Sequence, residues 1–113
     1  MGDIVDSADR AQVLVQIEHP EAAAQAGAIL AQDGVVGRAD LAIAMGERDT
    51  ASPKVAALVA AIFAAVRDSN KIKGVVVSSE AERRDYAQLG ANWYIMGNDQ
   101  SLLRTAARHL LSA

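Results

Sequence analysis

Apolar residues fall along this chain in two kinds of cluster. The first kind is short and almost unbroken: residues 13–17 (Val13-Leu14-Val15-Gln16-Ile17), Val35-Val36, residues 72–77 and residues 93–96. Continuous apolar runs rich in β-branched side chains predict strands covered on both faces. The second kind recurs every three to four positions, as one face of a helix does. Ala22, Ala26, Ile29 and Leu30 mark a helix over 21–31. Val55, Leu58, Val59, Ile62, Phe63 and Val66 mark one over 54–68, and Leu102, Leu103, Ala106, Leu110 and Leu111 one over 100–111.

Residues with strong local preferences punctuate these clusters. Pro20 suits a first helical turn, and Ser52-Pro53 reads as an N-cap followed by proline at N1. Asp33-Gly34 is a turn signal before the second strand. Residues 41–45 suggest a brief helical turn, 46–52 a polar loop, and Ser69-Asn70 the end of the 54–68 helix. Ser79, with Glu82 three positions later, predicts a capping box opening a helix over 80–89, and Gly90 fits its C′ position. Residues 2–12 read as a short helix or a mobile tail before the first strand. The order is (α)βαβαβαβα, so the strands are expected to be parallel and joined by right-handed crossovers. A small doubly wound sheet and half of an eight-stranded barrel both satisfy this pattern.

Composition narrows the class. At 113 residues, 51% hydrophobic and 22% charged, the chain reads as one α/β domain over 1–113, with four βα units from residue 13 onward. Net charge is −3 without a basic run, which argues against a nucleic-acid partner. Cysteine is absent, so disulfides, thiolate catalysis and cysteine-ligated metals are excluded. No secretory pattern opens the sequence and the longest apolar helix is too short to span a bilayer. The expectation is a cytoplasmic protein with no membrane partner.

Candidate chemistry gathers where strands hand over to helices. Glu18 follows the first strand and Asp40 closely follows the second, which places both on one rim of a parallel sheet. Two carboxylates there suit a hard divalent cation held by oxygen ligands. The bland alternative is a pair of solvated acids that cap helices. His19 beside the pair is expected to be solvated, and His109 to lie on the surface of the last helix. Arg38 is expected to form a salt bridge with a rim acid or, failing that, to meet an anionic substrate. Trp93 and Tyr94 are expected to divide between core and helix packing, and Asp99 to cap the last helix.

The segments Val15-Gln16-Ile17-Glu18, Gly37-Arg38-Ala39-Asp40-Leu41 and Met45-Gly46, in that order, resemble the metal-binding half of the HpcH/HpaI aldolase/citrate lyase family. Leu89-Gly90-Ala91, a strand, then Gly97-Asn98-Asp99 followed by Leu102-Leu103 resembles that family's ending. The likeness implies the last four βα units of a TIM barrel and a divalent-metal-dependent aldolase acting on 2-oxo acids such as pyruvate. It implies Glu18 and Asp40 as ligands to Mg, Mn or Co, and the backbone N–H groups of Ala39 and Asp40 as the site for a substrate carboxylate. Two departures stand out. The family's arginine and histidine belong to the first half of its barrel, and Glu18 and Asp40 are 22 residues apart, about four fewer than the family pattern. The shortening falls near Asp33 and is expected to affect the turn and the second strand.

The resulting expectation is an excised or engineered half-barrel lacking the full catalytic set. Its unpaired edges would be covered in a homo-oligomer, a two-fold dimer first of all. A flavodoxin-like open sheet is the structural alternative, and a non-catalytic self-associating module the functional one. A signalling receiver fits poorly, since Val77 is followed by Ser78 and Ser79 where an aspartate would be needed.

Overall fold

The computed structural model describes residues 9–112. The predicted N-terminal helix or tail therefore lies mostly outside the described residues. Four strands, β1 (Val15–Ile17), β2 (Gly34–Val36), β3 (Lys73–Val77) and β4 (Trp93–Met96), form one parallel sheet in sequential order. A doubly wound sheet reverses direction at a switch point and carries helices on both faces. Neither occurs among the described residues, so the half-barrel arrangement prevails over the flavodoxin-like one.

Strand alternation divides the sheet into two unlike faces. Ile17, Val36 and Val75 stand side by side on one face, each at most 1% exposed, with Val77 continuing the row's side. They meet α4 (Pro53–Ala65), which buries Val55, Val59, Ile62 and Phe63 at the predicted helical spacing. Ser52 caps α4 through Oγ, which accepts from Val55 N at 3.3 Å with Pro53 at N1. The helix ends at Ala65, three residues before the predicted limit. The opposite face carries Gln16, Val35, Gly74 and Trp93 in one row, with Val76 and Ile95 beyond. No helix among the described residues covers that side: Gln16 and Ile95 are exposed, and Val76 and Trp93 half-buried.

Two connections differ from expectation. The 21–31 helix is split into α1 (Pro20–Ala24) and α2 (Ala26–Ile29), because Gln25 leaves the helical region at φ −109°, ψ 18°. Its amide bonds back only three residues, to Ala22 O at 3.0 Å, and Gly27 weakens any continuation. β2 is nonetheless as long as β1 and pairs with it over all three residues. The brief turn predicted at 41–45 is a two-turn helix, α3 (Arg38–Ala44), which starts directly after the strand and buries Leu41 and Ala42.

The N-terminal edge of the sheet is held by polar staples. Asp33 O accepts from Val15 N at 3.0 Å while its Oδ1 accepts from Ile72 N at 2.8 Å. Buried Lys73 donates through Nζ to Arg67 O at 3.2 Å and Ser69 O at 2.9 Å, closing the end of α4. Helix α5 (Glu80–Gln88) follows β3, capped by Ser79 as predicted, with Gly90 just past its end at φ +103°. Glu82 does not complete a capping box with Ser79, for its carboxylate turns to Ser78 and Arg38. The last helix, α6 (Asp99–Leu111), is capped by Asn98 in a reciprocal box with Ser101, not by Asp99. Asp99 is its first residue and accepts locally from Gln100 N at 2.9 Å.

Candidate functional site

At the C-terminal edge of the sheet lies a cleft of about 330 Å³, lined among others by Gln16, Gly37, Asp40, Ser78, Asn98 and Ser101. Its floor is built where β1 and β2 hand over to their connecting segments. Gly37 N donates to Ile17 O at 2.9 Å, so the two strands end level. Glu18 is then the next residue of the first connection, and Asp40 the third residue of α3. Both are exposed on this rim, but only Asp40 lines the cleft.

Asp40 Oδ2 accepts from Gln16 Nε2 at 3.5 Å, a long contact between the two strands' ends. Gly37 makes that approach possible. A Cβ there would stand 2.5 Å from Gln16 Nε2 and 3.1 Å from Asp40 Oδ2, so the missing side chain is the space in which amide and carboxylate meet. Leu41 N is the first α3 amide to bond back, to Gly37 O at 3.1 Å. The first-turn amides of Ala39 and Asp40 precede it and have no helical acceptor. Sequence reading missed Gln16, although it is the one polar residue interrupting the run 13–17.

Arg38 forms the expected ion pair, but with α5 rather than with Glu18 or Asp40. Its Nη2 reaches Glu82 Oε2 at 2.7 Å, Nη1 reaches Oε1 at 3.1 Å, and Nε donates to Val76 O at 2.9 Å. The guanidinium carbon lies 5.0 Å from the Tyr86 ring centre. Burial opposes the guanidinium charge, yet Glu82 and Tyr86 outweigh it and raise the Arg38 pKa above its ordinary value. His19 is exposed and its Nδ1 accepts from Glu21 N at 3.3 Å, capping α1, while His109 is exposed on α6. Trp93 packs over Gly74 on the uncovered face. Tyr94 packs on the helical side, donating to Ala91 O at 2.6 Å.

Among the described residues no three His, Asp or Glu side chains converge to hold a metal. Glu18 and Asp40 are exposed carboxylates on one rim, and Asp40 lies beside the space at Gly37. Mg²⁺ and similar ions commonly take one or two protein carboxylates and leave other positions to substrate and water. The residues present fit such a cation as a partial set.

A parallel sheet in sequential order, helices on one side and polar groups gathered at its C-terminal edge, is the architecture of part of a TIM barrel. The chain is a homologue of the HpcH/HpaI aldolase family, corresponding to part of a full-length member. It is 36% identical over 106 residues to the 5-keto-4-deoxy-D-glucarate aldolase of Klebsiella pneumoniae, covering 89% of this chain and 41% of that protein. It is also 36% identical over 103 residues to a hydroxypyruvate/pyruvate aldolase of Pseudomonas aeruginosa, covering 87% and 38%. The crystal structure of an HpcH/HpaI aldolase/citrate lyase family protein from Burkholderia cenocepacia superposes with a TM-score of 0.81 at 28% identity, over 92% of this chain and 42% of that one. The chain thus spans about two fifths of the relatives it matches. No family model matches it. None of its described helices is long and apolar enough to cross a membrane.

Proposed function

We propose that this chain is the cation-binding half of a keto-acid aldolase site. Glu18 and Asp40 hold a divalent ion such as Mg²⁺, Mn²⁺ or Co²⁺, and the Ala39 and Asp40 amides receive the carboxylate of a 2-oxo acid. The observation that supports this reading is the level ending of β1 and β2, which leaves Glu18 and Asp40 on one rim, with Ala39 and Asp40 lining the cleft. A bound cation there would supply Lewis-acid polarisation of a substrate carbonyl. The chain's own residues would orient the acid: the α3 amides by hydrogen bonding to its carboxylate, Gln16 by holding Asp40.

No histidine or free arginine lines the cleft among the described residues, since Arg38 is committed to Glu82. Proton transfer therefore has no histidine or arginine here to carry it, and the chain alone is expected to bind without turnover. Calorimetric titration with Mn²⁺, then pyruvate, tests this. Pyruvate binding that requires Mn²⁺ and is lost in Glu18→Ala supports the assignment. Pyruvate binding indifferent to both metal and Glu18, or none at all, refutes it.

A further inference from the structure

Among the described residues, bare apolar surface gathers at the two ends of the sheet. Of the eight large hydrophobic side chains exposed among the described residues, Val13 precedes β1, Ile95 and Met96 belong to β4, and Leu102, Leu103, Leu110 and Leu111 belong to α6. Only Ile43 lies elsewhere. No residue of α6 is buried, and its four leucines are 63–87% exposed. Among the described residues, strands β1 and β4 each pair on one side only. The sheet face bearing Trp93 and Ile95 has no cover.

We propose that two copies of this chain close into one eight-stranded parallel barrel, each β4 pairing with β1 of the partner subunit, so that every cleft is completed by the partner's rim. A two-fold axis along the barrel leaves all strands parallel, and this is the symmetric operation that joins edge β4 to edge β1 twice. In an eight-stranded barrel of shear eight, a hydrogen-bonded row is displaced by about four residues over half the circumference. The row Gln16–Val35–Gly74–Trp93 therefore meets the partner strand about four residues away from its Gln16. A shift toward the C-terminus would land on Pro20, where α1 begins. A shift toward the N-terminus lands near Gln12 on chain that is not helical, and it sets Ile95 beside Leu14 of the partner subunit.

One closure then accounts for the bare elements at both ends of the sheet. Trp93 and Ile95 become barrel interior, Val13 joins an extended edge, and α6 lies over the seam between its own β4 and β1 of the partner subunit. The apolar surface of these elements amounts to on the order of 1,000 Å² or more for the pair, enough for a specific interface. Gly97 and Asn98 of the partner subunit would come to the open side of Glu18, which has only β2 beside it within one copy. The closure is independent of cation binding, so its failure and that of the proposed function are separable.

The test is solution mass by light scattering across a dilution series, read together with emission from Trp93, the single tryptophan. We expect twice the chain mass, and a red shift of emission on dilution that tracks dissociation. The sequence has no cysteine, so a Leu14→Cys/Ile95→Cys variant reports the seam directly. It should form a covalent dimer on oxidation, whereas Ile43→Cys should not. A monomer at all concentrations overturns the proposal. So does a dimer whose Trp93 emission ignores dissociation, or one that the seam cysteines fail to link.

Discussion

Arg38 and Glu82 meet fork to fork, 44 residues apart in sequence, with the arginine side chain 7% and the glutamate 27% exposed. The pair ties the first turn of α3, which carries Asp40, to the first turn of α5 and to the end of β3. Bidentate charge-assisted bonds fix geometry as well as energy. Removing Arg38 leaves Glu82 half-buried without its counter-charge and Val76 O without its donor. Arg38→Ala is expected to cost about 2–3 kcal/mol by chemical denaturation. Arg38→Lys should recover only part, because an ammonium cannot reproduce the fork.

The same pair shapes stability in acid. Partial burial opposes ionisation of Glu82, but the Arg38 fork and the Ser78 amide and hydroxyl outweigh it and bring its pKa down from 4.5 to about 2. The unfolded chain therefore takes up the proton first as pH falls. Stabilisation by this carboxylate is full above pH 4.5 and is lost progressively toward pH 2. Glu80 is lowered to about 2 as well, by hydrogen bonds from Arg83 and Arg84, yet it is exposed on the surface and screened by salt. At high salt, melting temperature against pH should fall below 4.5 in the wild type and in Glu80→Gln. The slope should flatten in Glu82→Gln.

Gly37→Ala separates the cleft from the fold. Gly37 has φ −91°, which alanine tolerates, so the conflict is with neighbouring side chains. The new methyl would displace the Gln16 amide, the free end of a flexible side chain, from Asp40. A stability change under about 1 kcal/mol is expected, with Mn²⁺ affinity weakened severalfold. Equal affinity would show that the Gln16–Asp40 approach does not position the carboxylate.

Gly34→Ala should do the reverse. Its Cβ would run into Leu30 Cδ2 and come within 2.9 Å of Val15 O, which is backbone in a paired strand. Overpacking of this kind costs about 1–3 kcal/mol, and a thermal melt reads it. An unchanged melting temperature would mean that β1 and Leu30 shift freely.

Much of this architecture was legible in the residues. The short, mostly apolar runs ending at Ile17, Val36, Val77 and Met96 mark all four strands, and Ser52, Ser79 and Gly90 mark helix ends where the structure has them. Alternation of β and α alone fixes parallelism but not which edge each strand joins; sequential order followed from the family resemblance, which implies half of a TIM barrel. The break at Gln25 was hidden by alanines that suit a continuous helix, and the early start of α3 by Gly37 at its cap. At the site, Asp40 and Glu18 announced themselves as acids after strands. Gln16 did not, since its role depends on the empty space at Gly37, which lies 21 residues away. Arg38 pairs with an acid as expected, but its partner comes from a helix whose approach only tertiary packing determines.

Joint binding of a divalent cation by Glu18 and Asp40 is tested most directly by Mn²⁺ titration followed by amide NMR. Paramagnetic broadening should appear first at residues 17–19 and 38–41, and should vanish from both segments together in either Glu18→Ala or Asp40→Ala. Broadening that begins instead at Glu80, Asp85 or Asp99, or that survives at one segment when the other acid is removed, would contradict the shared site.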